Sequence, residues 1–159
     1  MIDYEFKGIR ILVETHMDRV DFKDADDKYR TRFDRQNKVA VSFWEFTIDD
    51  SLTELAFVKS SLNYFMQAYW KRSSKEGSKI DLAKVLYRDD DPAGRQALYF
   101  VARQKDNKHF LHISLQEGGV TVNESYFGGQ EVIMLDIAIG KAISLLMPKT
   151  VSRMGIFDY

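Results

Sequence analysis

Several carboxylate and imidazole side chains lie close enough along this chain to suggest a metal site or catalysis. Residues 24–27 (Asp-Ala-Asp-Asp) and 89–91 (Asp-Asp-Asp) could coordinate a cation. The first run lacks the glycine that an EF-hand loop needs at its sixth position, where Tyr29 stands. His109 and His112 are three residues apart, which on a strand sends them to opposite faces. We therefore expect solvated acidic loops, no metal and no cofactor.

The sequence also lacks common catalytic motifs. It has no glycine-rich phosphate loop, no G-x-S-x-G nucleophile turn and no H-E-x-x-H zinc motif. Gly128 and Gly129 are best interpreted as the entrance to a helix. We expect no enzymatic activity, and a hydrolase that uses the aspartate runs is the least favoured alternative.

A pattern of aromatic and cationic side chains points instead to binding. If Leu98, Phe100, Leu111 and Ile113 face a helix, the residues between them share the opposite face of the sheet. Aromatic rings interleaved with cations suit single-stranded nucleic acid, because bases stack on rings while cations follow phosphates. An ordinary solvent face, or a surface buried in a dimer or under a loop, would show the same alternation. The candidate nucleic-acid-binding residues are Arg30, Arg32, Lys38, Trp44, Tyr99, Arg103, Lys105, Lys108, Phe110 and His112.

The first half of the chain must supply strands and a helix to position these residues. Alternating β-branched and aromatic residues predict strands at 7–16, 29–35 and 38–46, with a loop at 18–28 and a turn at Gln36 and Asn37. In the middle strand Tyr29 and Phe33 should be half-buried. The segment Ser51-Leu-Thr-Glu54 fits a capping box, and an apolar stripe continues from it to Trp70, so a helix is predicted there.

The second half shows a similar order. Strands are predicted at 80–88, 96–104, 108–116 and 120–127, with turns at 89–94, 105–107 and 117–119. A helix should begin near Gln130 and stop near Met147, because Pro148 follows. Its polar strip is narrow, which predicts a homodimer that buries part of Ile133, Ile137 or Ile143.

The two halves together predict an α+β protein with two pseudo-repeats, each an antiparallel β-sheet followed by a helix packed on it. We expect one domain over residues 1–159, with pseudo-repeats at about 7–72 and 80–147, a Ser/Gly linker at 73–79 and a C-terminal tail at 148–159. This tandem ββββα pattern resembles the PC4 coactivator, Whirly proteins and PUR repeats. The resemblance implies single-stranded nucleic-acid binding on the sheet face, often by dimers.

Composition narrows the function classes. The chain has 23 Lys and Arg against 24 Asp and Glu, so net charge gives no support to nucleic-acid binding and only the distribution of charge can. It has no cysteine, its first residues lack the features of a signal peptide, and no apolar run is long enough for a membrane span. An intracellular location, cytoplasmic or nucleoid-associated, is expected.

The leading hypothesis is a binding protein for single-stranded nucleic acid, DNA rather than RNA. The alternative is a protein-interaction module, such as an inhibitor or adaptor, that uses the same aromatic face or the acidic loops on a protein partner.

Overall fold

The computed structural model describes residues 2–72, 83–87, 95–106 and 108–153. The first sheet contains β1 (Ile2–Phe6), β2 (Ile9–Lys23), β3 (Tyr29–Phe43) and β4 (Phe46–Asp49), and α1 (Leu52–Arg72) follows it. The second sheet contains β5 (Ala83–Tyr87), β6 (Gln96–Lys105), β7 (Lys108–Glu117) and β8 (Val120–Phe127), followed by α2 (Gly129–Arg153). Each sheet is an antiparallel meander in chain order. The α+β fold of two sheet-then-helix units is therefore confirmed.

One face of each sheet builds the core. Ile9, Ile11 and Val13 of β2 are buried and alternate with exposed or half-buried residues. Phe100 of β6 and Ile113 of β7 are buried as well. The buried faces of both sheets and the apolar stripes of both helices form one continuous hydrophobic cluster. Both repeats therefore contribute to the same core, where burial of apolar surface supplies the main stabilising free energy.

At the start of each helix, a side chain accepts a hydrogen bond from a backbone amide. Ser51 Oγ accepts a hydrogen bond from the Glu54 amide at 3.3 Å, as the capping box predicts. At the start of α2, the Glu131 side chain accepts a bond from the Gly128 amide at 3.1 Å. Glu131 also pairs with Lys7 Nζ at 2.8 Å, which links the β1–β2 turn of the first sheet to the second helix.

The predicted turn at Gln36 and Asn37 is wrong, because β3 runs unbroken through both residues. The observed turns contain residues with positive φ, including Lys7, Gly8, Trp44 and Gly118. Asn37 instead uses its side chain across the structure: its amide nitrogen donates to the Leu145 carbonyl of α2 at 3.3 Å. Asparagine is common in turns, but here it lies in a strand and makes a tertiary contact.

The first sheet differs from the prediction in its strands as well. It has four strands rather than three, because residues 2–6 pair with 9–13 and a short β4 follows Trp44. Residues 18–23, expected in a loop, extend β2, and only residues 24–28 form the connection. Aspartate has a poor strand propensity, yet pairing with β3 along the whole length of β2 outweighs it here.

Strands β2 and β3 continue together beyond their neighbours as a two-stranded ribbon, residues 14–23 paired with 29–38. Tyr29 and Phe33 lie in this ribbon and are 82% and 62% exposed, so the prediction that they are half-buried is wrong. The four-stranded part of the sheet ends before it reaches them, and neither helix covers them.

The predicted end of α2 at Met147 is also wrong, since the helix continues to Arg153 and includes Pro148. Proline removes one backbone hydrogen bond, to the carbonyl four residues earlier, but the residues after it can stay helical. Residues 148–153, expected in the C-terminal tail, belong to this helix. The linker at 73–79, the turn at 89–94 and residues 154–159 lie outside the described residues. No helix in the described ranges is long and apolar enough to cross a membrane.

Candidate nucleic-acid interface

The second sheet turns one face toward the core and the other away from both helices. Strand register decides which residues share the outward face, since Leu98 and Leu115 are paired and buried while their neighbours alternate outward. Tyr99 lies opposite Ser114, and Arg103 lies opposite Phe110. We call this outward surface the aromatic face, defined by Tyr87, Tyr99, Arg103, Lys108, Phe110, His112, Glu124 and Tyr126.

Five residues of the aromatic face were candidates from sequence: Tyr99, Arg103, Lys108, Phe110 and His112. The strand register brings all five together on adjacent strands. A sixth candidate, Lys105, pairs with Lys108 at the end of the β6–β7 hairpin.

Sequence reasoning missed three members of the aromatic face. Tyr87 on β5 and Tyr126 on β8 are 55% and 47% exposed, and Glu124 is the carboxylate closest to them in register. A signal was present for β8, because Phe127 is apolar and precedes a helix, which favours burying it and places Tyr126 and Glu124 on the opposite face. The break in register between Leu115 and Gln116 obscures this alternation from sequence.

The centre of the aromatic face is a bonded group of four side chains. Arg103 Nε donates to His112 Nδ1 at 3.0 Å, and His112 Nε2 bonds Glu124 Oε2 at 2.9 Å. The Tyr126 ring stacks on the imidazole with centroids 4.4 Å apart and an interplanar angle of 9°. His112 is consequently only 7% exposed, although it lies on the face that points to solvent.

The other candidate residues occupy different places. Trp44 forms the β3–β4 turn with a φ of 55°, and its amide donates to the Gly8 carbonyl at 2.9 Å. Its indole is partly buried in the hydrophobic cluster and rests against Gly8, at a separation that leaves no room for a Cβ atom there. This contact gives Trp44 a structural role in joining two turns of the first sheet.

Arg30 and Arg32 lie on the ribbon, on the face opposite Tyr29 and Phe33, as the alternation predicts. Each contacts an acid: Arg30 Nε bonds Asp24, and Arg32 Nε lies 3.2 Å from Asp34. Both cations thus already have partners within the ribbon.

The acidic run at 24–27 forms the end of the ribbon. Asp24 Oδ1 accepts bonds from the amides of Asp26 and Lys28, each at 3.0 Å. The hydrogen bond from Arg30, followed by that from the Lys28 amide, lowers the pKa of Asp24. No group of three or more acidic or histidine side chains suited to a metal occurs in the described part of the chain, and residues 89–91 lie outside it.

Charge distinguishes the two sheets. The outward face of the four-stranded first sheet carries four acids and two cations: Asp3, Glu5, Glu14 and Asp49 against Arg10 and Lys38. Lys38 lies opposite Glu14, and Arg10 donates to both oxygens of Asp3 at 2.9 and 3.0 Å, which lowers the pKa of that carboxyl. Among the side chains that the structure describes, the aromatic face instead has two cations, Arg103 and Lys108, against the carboxylate of Glu124. A polyanion is therefore better accommodated on the second sheet.

Comparisons with known proteins give resemblance at the level of structure alone. No family model matches the sequence, and no curated protein matches it. Similar solved structures include WHY1 from Arabidopsis thaliana (11% identity, 98% of this chain and 89% of that chain, TM-score 0.37). The plant transcriptional regulator PBF-2 (13% identity, 96% and 87%, TM-score 0.39) and WHY3 from Arabidopsis thaliana (8% identity, 98% and 95%, TM-score 0.37) are similar too. All three are Whirly proteins, one of the groups that the sequence resembles.

Proposed function

We propose that this protein binds single-stranded nucleic acid, DNA rather than RNA, across the aromatic face of its second sheet, and that it is not an enzyme. The observation that carries the proposal is the concentration of four aromatic rings and two cations on one outward surface: Tyr87, Tyr99, Phe110, Tyr126, Arg103 and Lys108. Exposed rings offer stacking surfaces for any base, and cations between them can contact phosphates.

The geometry of the sheet supports a single strand over a duplex. Neighbouring residues on one face of a strand are about 6.7 Å apart, and paired residues on adjacent strands lie about 5 Å apart. Rings at this spacing on four strands form a broad surface on which unpaired bases can lie flat. Paired bases in a duplex expose only their edges to a protein.

The direct test is binding of a labelled oligothymidylate, measured by fluorescence anisotropy over a series of salt concentrations. We expect affinity to fall with salt. The logarithm of the association constant should decrease linearly with the logarithm of the salt concentration, with a slope of roughly −0.7 per phosphate contacted. Tyr126→Ala should weaken binding by about 1–3 kcal/mol, the usual contribution of one stacked base. The matched control is Tyr64→Ala on α1, because Tyr64 is 48% exposed against 47% for Tyr126 but lies away from the second sheet's aromatic face.

Equal affinities for the Tyr126→Ala and Tyr64→Ala variants would remove the aromatic face from the interface. Complete absence of oligonucleotide binding at low salt would reject the function itself. Arg30, Arg32, Lys38 and Trp44 are proposed only as flanking contacts, since they belong to the first sheet and the two arginines already pair with neighbours. Lys105 is proposed as a flanking contact because it pairs with Lys108 at the end of the β6–β7 hairpin.

A protein partner is the second candidate, and the ribbon favours it. Met17, Tyr29 and Phe33 are exposed there, and Arg35 lies directly opposite Met17. Methionine, aromatic residues and arginine are the types enriched at protein interfaces. A partner bound through the ribbon would leave the aromatic face of the second sheet free.

We further propose that the protein forms a homodimer through α2. Ile133, Met134 and Ile137 are exposed on one side of that helix, where burying each side chain would contribute about 1.5–3 kcal/mol.

Sedimentation at micromolar concentration should show a dimer for the native chain and a monomer for Ile137→Lys. Val120→Lys is the matched control, because Val120 on β8 is 64% exposed against 65% for Ile137. A native chain that sediments as a monomer would reject the dimer.

A further inference from the structure

His112 lies at the centre of the aromatic face, yet it is too buried to contact a ligand and both of its ring nitrogens have partners. The partners fix its protonation state. Arg103 Nε can only donate, so Nδ1 must be the acceptor and carries no proton. The remaining proton is then on Nε2, which donates it to Glu124.

We propose that His112 is a positioning residue for the nucleic-acid site: it holds Arg103 and Tyr126 in place while neutral and releases Arg103 when it becomes protonated. This inference rests on the proposed function, and it adds a dependence on pH. The imidazole acts through its neighbours, since Arg103 is bonded to its edge and the Tyr126 ring is stacked on its face.

Protonation changes the two nitrogens in opposite ways. Histidine ordinarily gains its second ring proton between about pH 8 and pH 5. At Nε2 the bond to Glu124 becomes an ion pair and persists. At Nδ1 the new N–H points at the Nε–H of Arg103, so two donors and two positive charges oppose each other. The guanidinium must then leave the imidazole, and the space open to it is the aromatic face.

Few other charges near His112 can offset this change. Val101 lies opposite His112 on β6, and Phe110 and Ser114 are its neighbours on the same face of β7, so none of the three titrates. Both helices pack on the other side of the sheet. The titratable and charged groups that face the imidazole among the described residues are Arg103 from β6 and Glu124 and Tyr126 from β8.

The expected consequence is tighter binding of nucleic acid at low pH. A protonated imidazole and a released guanidinium both add positive potential to the face, and the freed Arg103 can reach a phosphate. The salt dependence of affinity for a labelled oligothymidylate should therefore be steeper at about pH 5.5 than at about pH 8, by roughly 0.7 in slope for one added phosphate contact.

His112→Gln is the informative variant. A glutamine can accept from Arg103 with its oxygen and donate to Glu124 with its nitrogen, which imitates the neutral imidazole at every pH. We expect its affinity, whatever the value at about pH 8, to show no increase at low pH. The chain has three histidines, so His16→Gln and His109→Gln are complete controls and should keep the increase.

Two outcomes would overturn the inference. One is a native chain whose salt slope is the same at both pH values, and the other is a His112→Gln variant that keeps the increase. If no oligonucleotide binds at any pH, the proposed function fails, and nitrogen NMR still decides the positioning role. The Arg103 Nε–H resonance should differ between about pH 8 and about pH 5.5 in the native chain and not in the His112→Gln variant, and a native Arg103 resonance that does not respond would reject the role.

Discussion

Replacing Gly8 with alanine should destabilise the fold by about 3 kcal/mol or more, because two costs coincide at this position. Gly8 has a φ of 84°, a conformation that residues with a Cβ atom rarely adopt. The added Cβ would also lie 2.2 Å from the indole Nε1 of Trp44 and 2.8 Å from two of its ring carbons. The indole packs partly buried against the hydrophobic cluster, so moving it away from the new Cβ atom would cost some of that packing.

Urea unfolding of the Gly8→Ala variant measures this loss, and Gly118→Ala is its control. Gly118 also has a positive φ, 58°, but no atom lies within 4 Å of the place that an added Cβ would take. That variant should lose only the conformational part, about 1 kcal/mol. Similar losses for the two variants would show that the contact with Trp44 is not tight.

Truncating Phe100 to alanine should cost about 3–5 kcal/mol, the usual loss for a fully buried phenylalanine. Phe100 on β6 meets Phe43 on β3 edge to face, with ring centroids 6.0 Å apart, so this contact joins the two sheets. Phe43→Ala should cost a similar amount. Because the rings touch, the double variant should lose about 0.5–1.5 kcal/mol less than the sum of the single losses.

The same urea experiment tests whether the two repeats unfold together. One continuous core predicts a single transition whose midpoint falls for either variant. Two transitions, of which only one responds to Phe100→Ala, would show that the repeats unfold independently. Measurements at low temperature are preferable, since the loss is a large part of the roughly 5–15 kcal/mol that typically stabilises a domain.

Local patterns in the sequence were sufficient for much of the second repeat. The β6–β7 hairpin and the buried alternation of Leu98 and Phe100 follow from period-two hydrophobicity. The start of α1 follows from Ser51 and Glu54, whose hydrogen bond is local. Such features depend on residues that are near neighbours in the chain, so the sequence shows them directly.

The errors arose where distant contacts decide the structure. Asn37 stays in a strand and bonds Leu145, more than a hundred residues away. In the candidate site, the bond between His112 and Glu124 depends on how β7 and β8 align across an irregular register. Neither contact has a signature in the sequence around it. The aromatic residues of the site could be identified from alternation, but their bonding could not.

The charges on the ribbon formed by residues 14–38 disfavour edge-to-edge pairing of this ribbon with another copy of the chain. Its two outer edges have no strand beside them among the described residues, and such bare edges invite pairing with another chain. Seven cations and seven acids are spread over these 25 residues, alternating in sign over short distances. Another copy aligned along either edge would need to match this pattern or bring like charges together. The charges thus act as a safeguard against amyloid-like stacking, while the exposed Tyr29 and Phe33 remain available to a partner whose charges are complementary.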